Sequence, residues 1–242
     1  MCADVRTGAA AITQPLVLRT GTCSLPHPEK VDTGGEDAFF VTSDGNVIGV
    51  ADGVGSWRES GVDPGDYSRG LMRVACDFFE SGEADTKPAD SREWEETMRA
   101  AMGAAHRKTR VPGSSTACVL GLNAAEKYVS AANLGDSGFI VVRNGTVVFQ
   151  TPPLQHFFDC PYQFGACPEH VDATDYPANA ATYTLNVMPG DIIVAGSDGL
   201  WDNCPLDEVV QLLPDNNDMV DTSAEVIAAA ARSHAGALPS PQ

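Results

Sequence analysis

Two short apolar segments rich in β-branched residues are each followed closely by an aspartate and a glycine. Residues 47–50 lead to Asp52-Gly53, and residues 192–194 lead to Asp198-Gly199. Such runs predict strands that end in a turn, and Asp-Gly places a carboxylate at the sheet edge beside a flexible backbone. A further acidic pair, Glu36-Asp37, precedes another apolar run. If these strand ends lie side by side, they form a pocket of carboxylates, the ligands that hard divalent cations prefer.

The remaining elements predict hairpins and paired helices rather than strands alternating with helices. Asn144-Gly145 between two apolar runs predicts a tight hairpin turn, and four consecutive strands from 116 to 149 predict a meander. The long, proline-containing stretch 150–181 predicts a functional loop. The predicted strands are 15–20, 39–42, 47–51, 116–122, 127–133, 138–143, 146–149, 182–187 and 191–195, and the predicted helices are 66–80, 90–109, 206–213 and 222–234. This order predicts an α+β fold with antiparallel sheets.

The charge of the chain excludes some partners. With 33 acidic and 15 basic residues, the formal net charge is −18, and no basic stripe is available for nucleic acid or an anionic membrane. No apolar run approaches the ~20 residues of a membrane-spanning helix. Seven cysteines without a C-x-x-C pair indicate reduced thiols in an intracellular reducing compartment, cytoplasmic or organellar. A bridge between Cys160 and Cys167 is left open.

The aspartates are the main candidates for chemistry. The nucleotide-binding, zinc-protease and serine-hydrolase motifs are absent, and the histidines show no ligand spacing. Asp136 links two predicted strands, and Asp202 lies four residues after Asp198. Two carboxylates ~5 Å apart repel by roughly 3 kcal/mol at an effective dielectric of about 20. A cluster of three or four therefore needs a cation to stay ionised, and Mg²⁺ or Mn²⁺ suits an all-oxygen site.

Five ordered segments resemble the metal-dependent type 2C serine/threonine phosphatases. The resemblance covers about residues 30–235. The segments are 36–40, 51–55, 113–117, 133–137 and 197–202. Two further stretches, 51–58 and 153–158, are similar to the branch that contains the T-cell-activation type 2C phosphatase homologue, which includes mitochondrial and plastid members.

The resemblance implies a four-layer α-β-β-α sandwich of two antiparallel sheets flanked by helix pairs. The catalytic domain is expected at 31–235, between an irregular segment at 1–30 and a disordered tail at 236–242. Two Mg²⁺ or Mn²⁺ ions, with a weak third, are implied as cofactors, Asp52 bridging the first two. Asp136 and Asp202 match the third position. The implied metal ligands are Glu36, Asp37, Asp52, Gly53, Asp136, Asp198 and Asp202.

The chain departs from the family pattern at three places. Asp32 stands where many members have the arginine that binds the substrate phosphate, so Lys30 or Arg58 is expected to take that role. Val54 stands where many members have a histidine that serves as a general acid. The family's last metal-binding aspartate and last strand have no counterpart after His234. We therefore expect a C-terminally truncated domain that lacks one strand.

The resulting hypothesis is a Mg²⁺/Mn²⁺-dependent protein serine/threonine phosphatase. Metal-activated water would hydrolyse the phosphoester at a two-metal site, with Asp52 and Asp198 as the catalytic residues. Phosphoserine and phosphothreonine proteins are the expected substrates of a monomer. The alternative is a catalytically impaired or inactive phosphatase-like protein that binds phosphoproteins or another partner. The stretch 150–181 is expected to contribute to substrate choice.

Overall fold

The computed structural model describes residues 14–83, 90–166, 174–214 and 219–235. Its strands are β1 (Asp37–Val41), β2 (Val47–Asp52), β3 (Gly113–Ser115), β4 (Ala117–Asn123), β5 (Tyr128–Leu134), β6 (Gly138–Arg143), β7 (Thr146–Gln150), β8 (Gln155–Phe157), β9 (Cys160–Pro161), β10 (Phe164–Ala166), β11 (Ala181–Asn186) and β12 (Ile192–Gly196). Its α-helices are α1 (Pro64–Glu80), α2 (Ser91–Lys108), α3 (Asp198–Trp201), α4 (Leu206–Gln211) and α5 (Val220–Ala235). Short 3₁₀ helices cover Pro28–Thr33, Gly55–Ser60 and Pro177–Asn179.

Two antiparallel sheets form the centre of the molecule. The first has the strand order β1-β2-β4-β5-β11, and the second has the order β12-β6-β7. The prediction of one continuous meander from β4 to β7 is wrong, because the chain changes sheets between β5 and β6. The glycine at this crossing has φ +103°, and a Cβ on Gly135 would lie 2.6 Å from Thr116 Cγ2. Only glycine allows this close corner.

Three separate apolar clusters define four layers, which confirms the predicted α-β-β-α sandwich. Alternating residues of β6 show the pattern: Phe139 and Val141 face the first sheet, whereas Ile140 and Val142 face helices. The cluster between α1, α2 and the first sheet includes Leu71, Met98 and Val119. The cluster between the sheets includes Leu120 and Val129, and the cluster under α4 and α5 includes Val209 and Ile227.

Capping residues explain where the first two helices begin. Asp63 accepts a hydrogen bond from the Gly65 amide, with Pro64 in the first turn, and Asp90 accepts one from the Glu93 amide, so both helices have an N-cap. Helix α2 therefore begins where its sequence predicts. Helix α5 begins at Val220, so the predicted capping box at 222–225 is wrong and lies within the helix.

Two other segments differ from expectation. Residues 14–27 have no regular secondary structure, so the strand predicted at 15–20 is wrong. The Leu16 amide donates to the Ala124 carbonyl at 3.0 Å, but no strand ladder follows. The long stretch after β7 contains three strands of two or three residues, β8 to β10, too short to produce a visible sequence period.

The described cysteines are all unpaired thiols: Cys23, Cys76, Cys118, Cys160 and Cys204. Cys2, Cys167 and the predicted tail at 236–242 lie outside the described residues. Among the helices that the structure describes, none combines the length and apolar character needed to cross a bilayer.

Candidate metal centre

Three aspartates from the two sheets meet at one end of the sandwich. Asp37 and Asp52 are paired residues in the antiparallel register of β1 and β2. Asp198 follows β12 of the other sheet as the first residue of α3. Its carboxyl group lies within hydrogen-bonding reach of Asp52. The predicted convergence of the two Asp-Gly strand ends is therefore present in the structure.

The pKa values of these carboxyl groups show how far they are withdrawn from water. Burial, together with the charges of Asp198 and Glu36, raises the pKa of Asp37 to about 6, against opposing interactions with Ser197 and Lys30. Burial and the charges of Asp37 and Asp198 raise the pKa of Asp52 well above its ordinary value. Without a cation, these carboxyl groups hold their protons to higher pH than an exposed aspartate does, because like charges in a poorly solvated site disfavour ionisation.

A second group of acids lies beside the first. Burial and the charge of Asp198 raise the pKa of Asp136, against a hydrogen bond from Gln155. Burial and the charges of Asp198 and Asp136 raise the pKa of Asp202, whose residue is exposed. The charge of Asp159 also raises both pKa values. Sequence reasoning missed Asp159, since nothing in its local sequence shows that the β8–β9 turn approaches Asp136.

The donor atoms at this site are of the type that a hard divalent cation binds. They are all carboxylate oxygens, the preferred ligands of Mg²⁺ and Mn²⁺. Asp37 Oδ1 is buried and has no hydrogen-bond partner, an arrangement that is costly unless another group satisfies the oxygen. Over the described ranges, no three His, Cys, Asp or Glu side chains form a ready-made ligand group. The aspartates are therefore gathered at one end of the sandwich without forming a compact set of three ligands.

Backbone contacts fix the end of β2. The Asp52 amide donates to Thr116 Oγ1 at 3.1 Å, and the Thr116 amide donates to the Asp52 carbonyl at 3.0 Å. The Gly53 amide donates to the Glu36 carbonyl at 3.0 Å. A Cβ on Gly53 would lie 2.5 Å from the Pro64 carbonyl oxygen. The glycine is therefore required by close packing of the backbone beside the site.

Glu36 is held by both of the predicted phosphate-binding residues. Its carboxylate is buried and accepts hydrogen bonds from Lys30 Nζ and from Arg58 Nε, the latter at 2.6 Å. Arg58 also donates to Thr33 Oγ1 at 3.3 Å. The two cations come from separate 3₁₀ helices and meet on one side of the aspartate cluster. Asp32, in the position where an arginine was expected, is exposed.

Comparisons with known proteins agree with this architecture. A family model described as protein phosphatase 2C matches residues 29–236. Probable protein phosphatase 2C 55 of Arabidopsis thaliana is 42% identical over 205 residues, which cover 85% of this chain and 41% of the relative. Probable protein phosphatase 2C 80 of Arabidopsis thaliana is 43% identical over 194 residues, which cover 80% of this chain and 44% of the relative. The chain thus spans less than half the length of these two curated relatives.

Solved structures give the same result for the fold. The X-ray structure of the photosystem II phosphatase PBCP superposes with a TM-score of 0.78 at 37% identity, covering 88% of this chain and 79% of that one. The catalytic domain of the serine/threonine phosphatase PstP, solved with two manganese ions, superposes with a TM-score of 0.61 at 15% identity, covering 90% of both chains. That second likeness concerns the fold alone. The layered fold and its carboxylate cluster define a phosphatase-type domain, and the chain belongs to the protein phosphatase 2C family.

Proposed function

We propose that this protein is a Mg²⁺- or Mn²⁺-dependent protein serine/threonine phosphatase. The observation that carries the proposal is the meeting of Asp37, Asp52 and Asp198 from two different sheets in a buried, all-oxygen site. Such a cluster is costly for the fold alone, because buried like charges repel each other. Its presence within a phosphatase family supports a role in binding cations for hydrolysis.

The aspartates divide into an inner and an outer group. Asp37, Asp52 and Asp198, together with the Gly53 carbonyl, would hold two divalent ions. Asp136 and Asp202 would hold a weaker third ion, since Asp202 is exposed. Bound divalent cations would neutralise charge and would lower the pKa of a water toward ~7, so that hydrolysis would need no protein nucleophile.

The chain's own cations would bind the substrate phosphate. Lys30 and Arg58 both form salt bridges with Glu36. Their ammonium and guanidinium groups are the usual phosphate ligands of proteins. In this proposal Glu36 is a positioning residue: its single negative charge offsets one of the two positive charges and holds both cations beside the aspartates. This differs from a direct metal-binding role for Glu36, which would require one of its oxygens to leave its cationic partner.

A phosphoprotein is the proposed substrate, with phosphoserine or phosphothreonine as the reacting residue. Such residues are exposed on protein surfaces and would approach the acidic cluster from the side where Asp202 and Asp159 are exposed. A monomer suffices for this arrangement, because all the proposed site residues come from one chain.

The test is hydrolysis of p-nitrophenyl phosphate and of a phosphoserine peptide with Mn²⁺, with and without chelator. We expect Asp52→Asn to lose at least 100-fold in kcat, a value in the range of losses for removing one electrostatic stabiliser. Asp221→Asn, an exposed aspartate of α5, is the matched control and should retain activity within about twofold. Equal activity of the wild type with and without chelator would contradict the proposal.

One observation favours the competing function, a phosphoprotein-binding protein with impaired catalysis. The carboxylate of Glu36, which the family resemblance implies as a metal ligand, accepts hydrogen bonds from both Lys30 and Arg58. Calorimetric titration with Mn²⁺ separates the two functions. Saturable binding of two ions supports the enzyme, and one weak site combined with phosphopeptide binding supports the binding protein.

A further inference from the structure

Two neighbouring aromatic side chains stand in solvent at the tip of the β8–β9 hairpin. Phe157 is 69% exposed and Phe158 is 94% exposed. Large apolar side chains exposed next to each other are unusual on a protein surface, and they mark interaction sites when they lie on a fixed scaffold. Aromatic residues are also the side chains that most often anchor an interface.

The hairpin that carries them is anchored at its base beside the metal centre. The Leu154 amide donates to the Gly135 carbonyl at 2.9 Å, and the Tyr162 amide donates to the Leu154 carbonyl at 2.9 Å. Gln155 Nε2 donates to Asp136 Oδ2 at 3.2 Å. Phe157 and Phe158 therefore lie two and three residues after Gln155, which contacts the proposed metal ligand Asp136.

The opposite face of the hairpin is fixed as well. His156 Nε2 lies 3.0 Å from Asp175 Oδ2, and the His156 ring stacks on Tyr162 with centroids 4.2 Å apart. Asp175 is buried and also accepts the Gln163 amide at 2.9 Å. Because both faces are bonded to the body of the protein, the exposed aromatics cannot be explained as the tip of an unrestrained loop.

The tip lies close enough to the acidic site for one extended peptide to reach both. Phe157 lies two residues after Gln155, whose side chain donates to Asp136 Oδ2 at 3.2 Å, and Asp159 directly follows Phe158. Consecutive Cα atoms are ~3.8 Å apart, so a side chain two or three residues from a bound phosphoresidue can contact the rings. Asp159 and the net charge of −18 favour a peptide that carries lysine or arginine and disfavour an acidic one.

We infer that Phe157 and Phe158 are a specificity surface for the phosphorylated polypeptide, binding a large apolar side chain that flanks the phosphoresidue on a basic segment. The inference rests on the proposed phosphatase function and adds the sequence class of its substrate. An anionic membrane is a poorer occupant, because residues 150–166 contain no lysine or arginine with which to bind its headgroups. A second copy is also disfavoured: two phenylalanines bury roughly 300–500 Å², less than the ~800 Å² per partner of a stable dimer.

The test compares two peptides that differ at one position. Both carry two arginines and a phosphoserine, and one has phenylalanine two residues from the phosphoserine where the other has serine. For the wild type we expect kcat/KM to favour the phenylalanine peptide about tenfold. For the double variant Phe157→Ser/Phe158→Ser, that preference should fall to about twofold. The loss should come from a higher KM for the phenylalanine peptide rather than from a lower kcat. The ratio of kcat/KM for this peptide to that for p-nitrophenyl phosphate should fall about tenfold. Val148→Ser, which removes an exposed apolar residue from β7 (50% exposed), should leave both ratios within twofold of the wild type.

An unchanged peptide preference in the double variant would overturn the inference. If the wild type hydrolyses neither peptide nor p-nitrophenyl phosphate, the proposed function fails, and anisotropy of the labelled phenylalanine peptide then tests the surface separately. If the double variant binds this peptide about tenfold more weakly than the wild type does, the proposed role of Phe157 and Phe158 is supported. Equal binding by the two proteins overturns it. Loss of dimerisation or of binding to phosphatidylserine vesicles, without any change in peptide selectivity, would assign the rings to those partners and overturn the inference.

Discussion

Asp37 and Asp52 face each other as a cross-strand pair at the end of β1 and β2, although both carboxyl groups are withdrawn from water. Like charges directly opposite on neighbouring strands destabilise a sheet. The pairing therefore costs the cation-free protein stability at the place where the proposed ions would bind.

The pH dependence of stability should report this cost. The folded-state pKa of Asp37 is raised from 3.8 to about 6, so the folded protein binds this proton more tightly than the unfolded chain does. Its stabilising contribution is complete below pH 3.8 and is lost as the pH rises through about 6. We expect Asp37→Asn to be more stable than the wild type by roughly 1–3 kcal/mol at pH 7.5 and by much less at pH 4.5.

Urea denaturation in the presence of chelator measures this difference at both pH values. Asp191→Asn is the control of opposite sign, because the hydrogen bond from Arg143 lowers the pKa of Asp191. That variant should be less stable than the wild type at neutral pH. An Asp37→Asn variant that is less stable than the wild type at pH 7.5 would contradict the prediction.

Metal binding should reverse the cost. A ligand that binds only the folded state stabilises it by about 2.7 kcal/mol at a concentration 100 times its Kd. We expect Mn²⁺ to raise the Tm of the wild type and to raise that of Asp52→Asn much less, because Asp52 lies between Asp37, its cross-strand partner, and Asp198, within hydrogen-bonding reach. Differential scanning fluorimetry over a Mn²⁺ series measures the shift, with Asp221→Asn as the control. Equal shifts in all three proteins would be inconsistent with a site at Asp52.

The buried hydroxyl of Thr116 should matter for both stability and activity. Thr116 Oγ1 accepts the Asp52 amide at 3.1 Å and shares a hydrogen bond with Ser137 Oγ at 2.7 Å. Thr116→Val keeps the shape and leaves the amide without its acceptor, which should cost about 1–3 kcal/mol and lower kcat by displacing Asp52. Thr116→Ser keeps the hydroxyl and is the matched control. Equal kcat for the two variants would show that the hydroxyl does not position Asp52.

The close approach of β2 to α1 makes Gly53 intolerant of a side chain. A Cβ there would meet the Pro64 carbonyl oxygen at 2.5 Å and the Glu36 carbonyl oxygen at 2.9 Å. We expect Gly53→Ala to cost about 1–3 kcal/mol, as overpacking does in well-packed interiors. In Gly199→Ala the new Cβ would meet nothing closer than Ser197 Oγ at 3.5 Å, and a change within about 0.5 kcal/mol is expected. Urea denaturation compares them, and equal losses would rule out the steric explanation.

The sequence predicted those features that depend on short-range chemistry. Asn144-Gly145 forms the predicted turn, with φ values of +51° and +72°, because both positions need a left-handed backbone. Asp90 caps α2 as its local sequence indicates. The two Asp-Gly strand ends were also identified from the sequence, since an apolar β-branched run followed by Asp-Gly predicts both the strand and its end.

The tertiary structure decided what lies opposite and beside each of these residues. The change of sheets at Gly135 could not be seen in a pattern of consecutive strands, because a strand has the same alternation in either sheet. Local sequence also carries no signal for the contact of Lys30 and Arg58 with Glu36 or for the position of Asp159 near Asp136. The sequence by itself determined which residues carry charge and where strands end. Only packing of the two sheets brought Asp198 to Asp52, because that contact joins residues 146 positions apart, for which local sequence carries no signal.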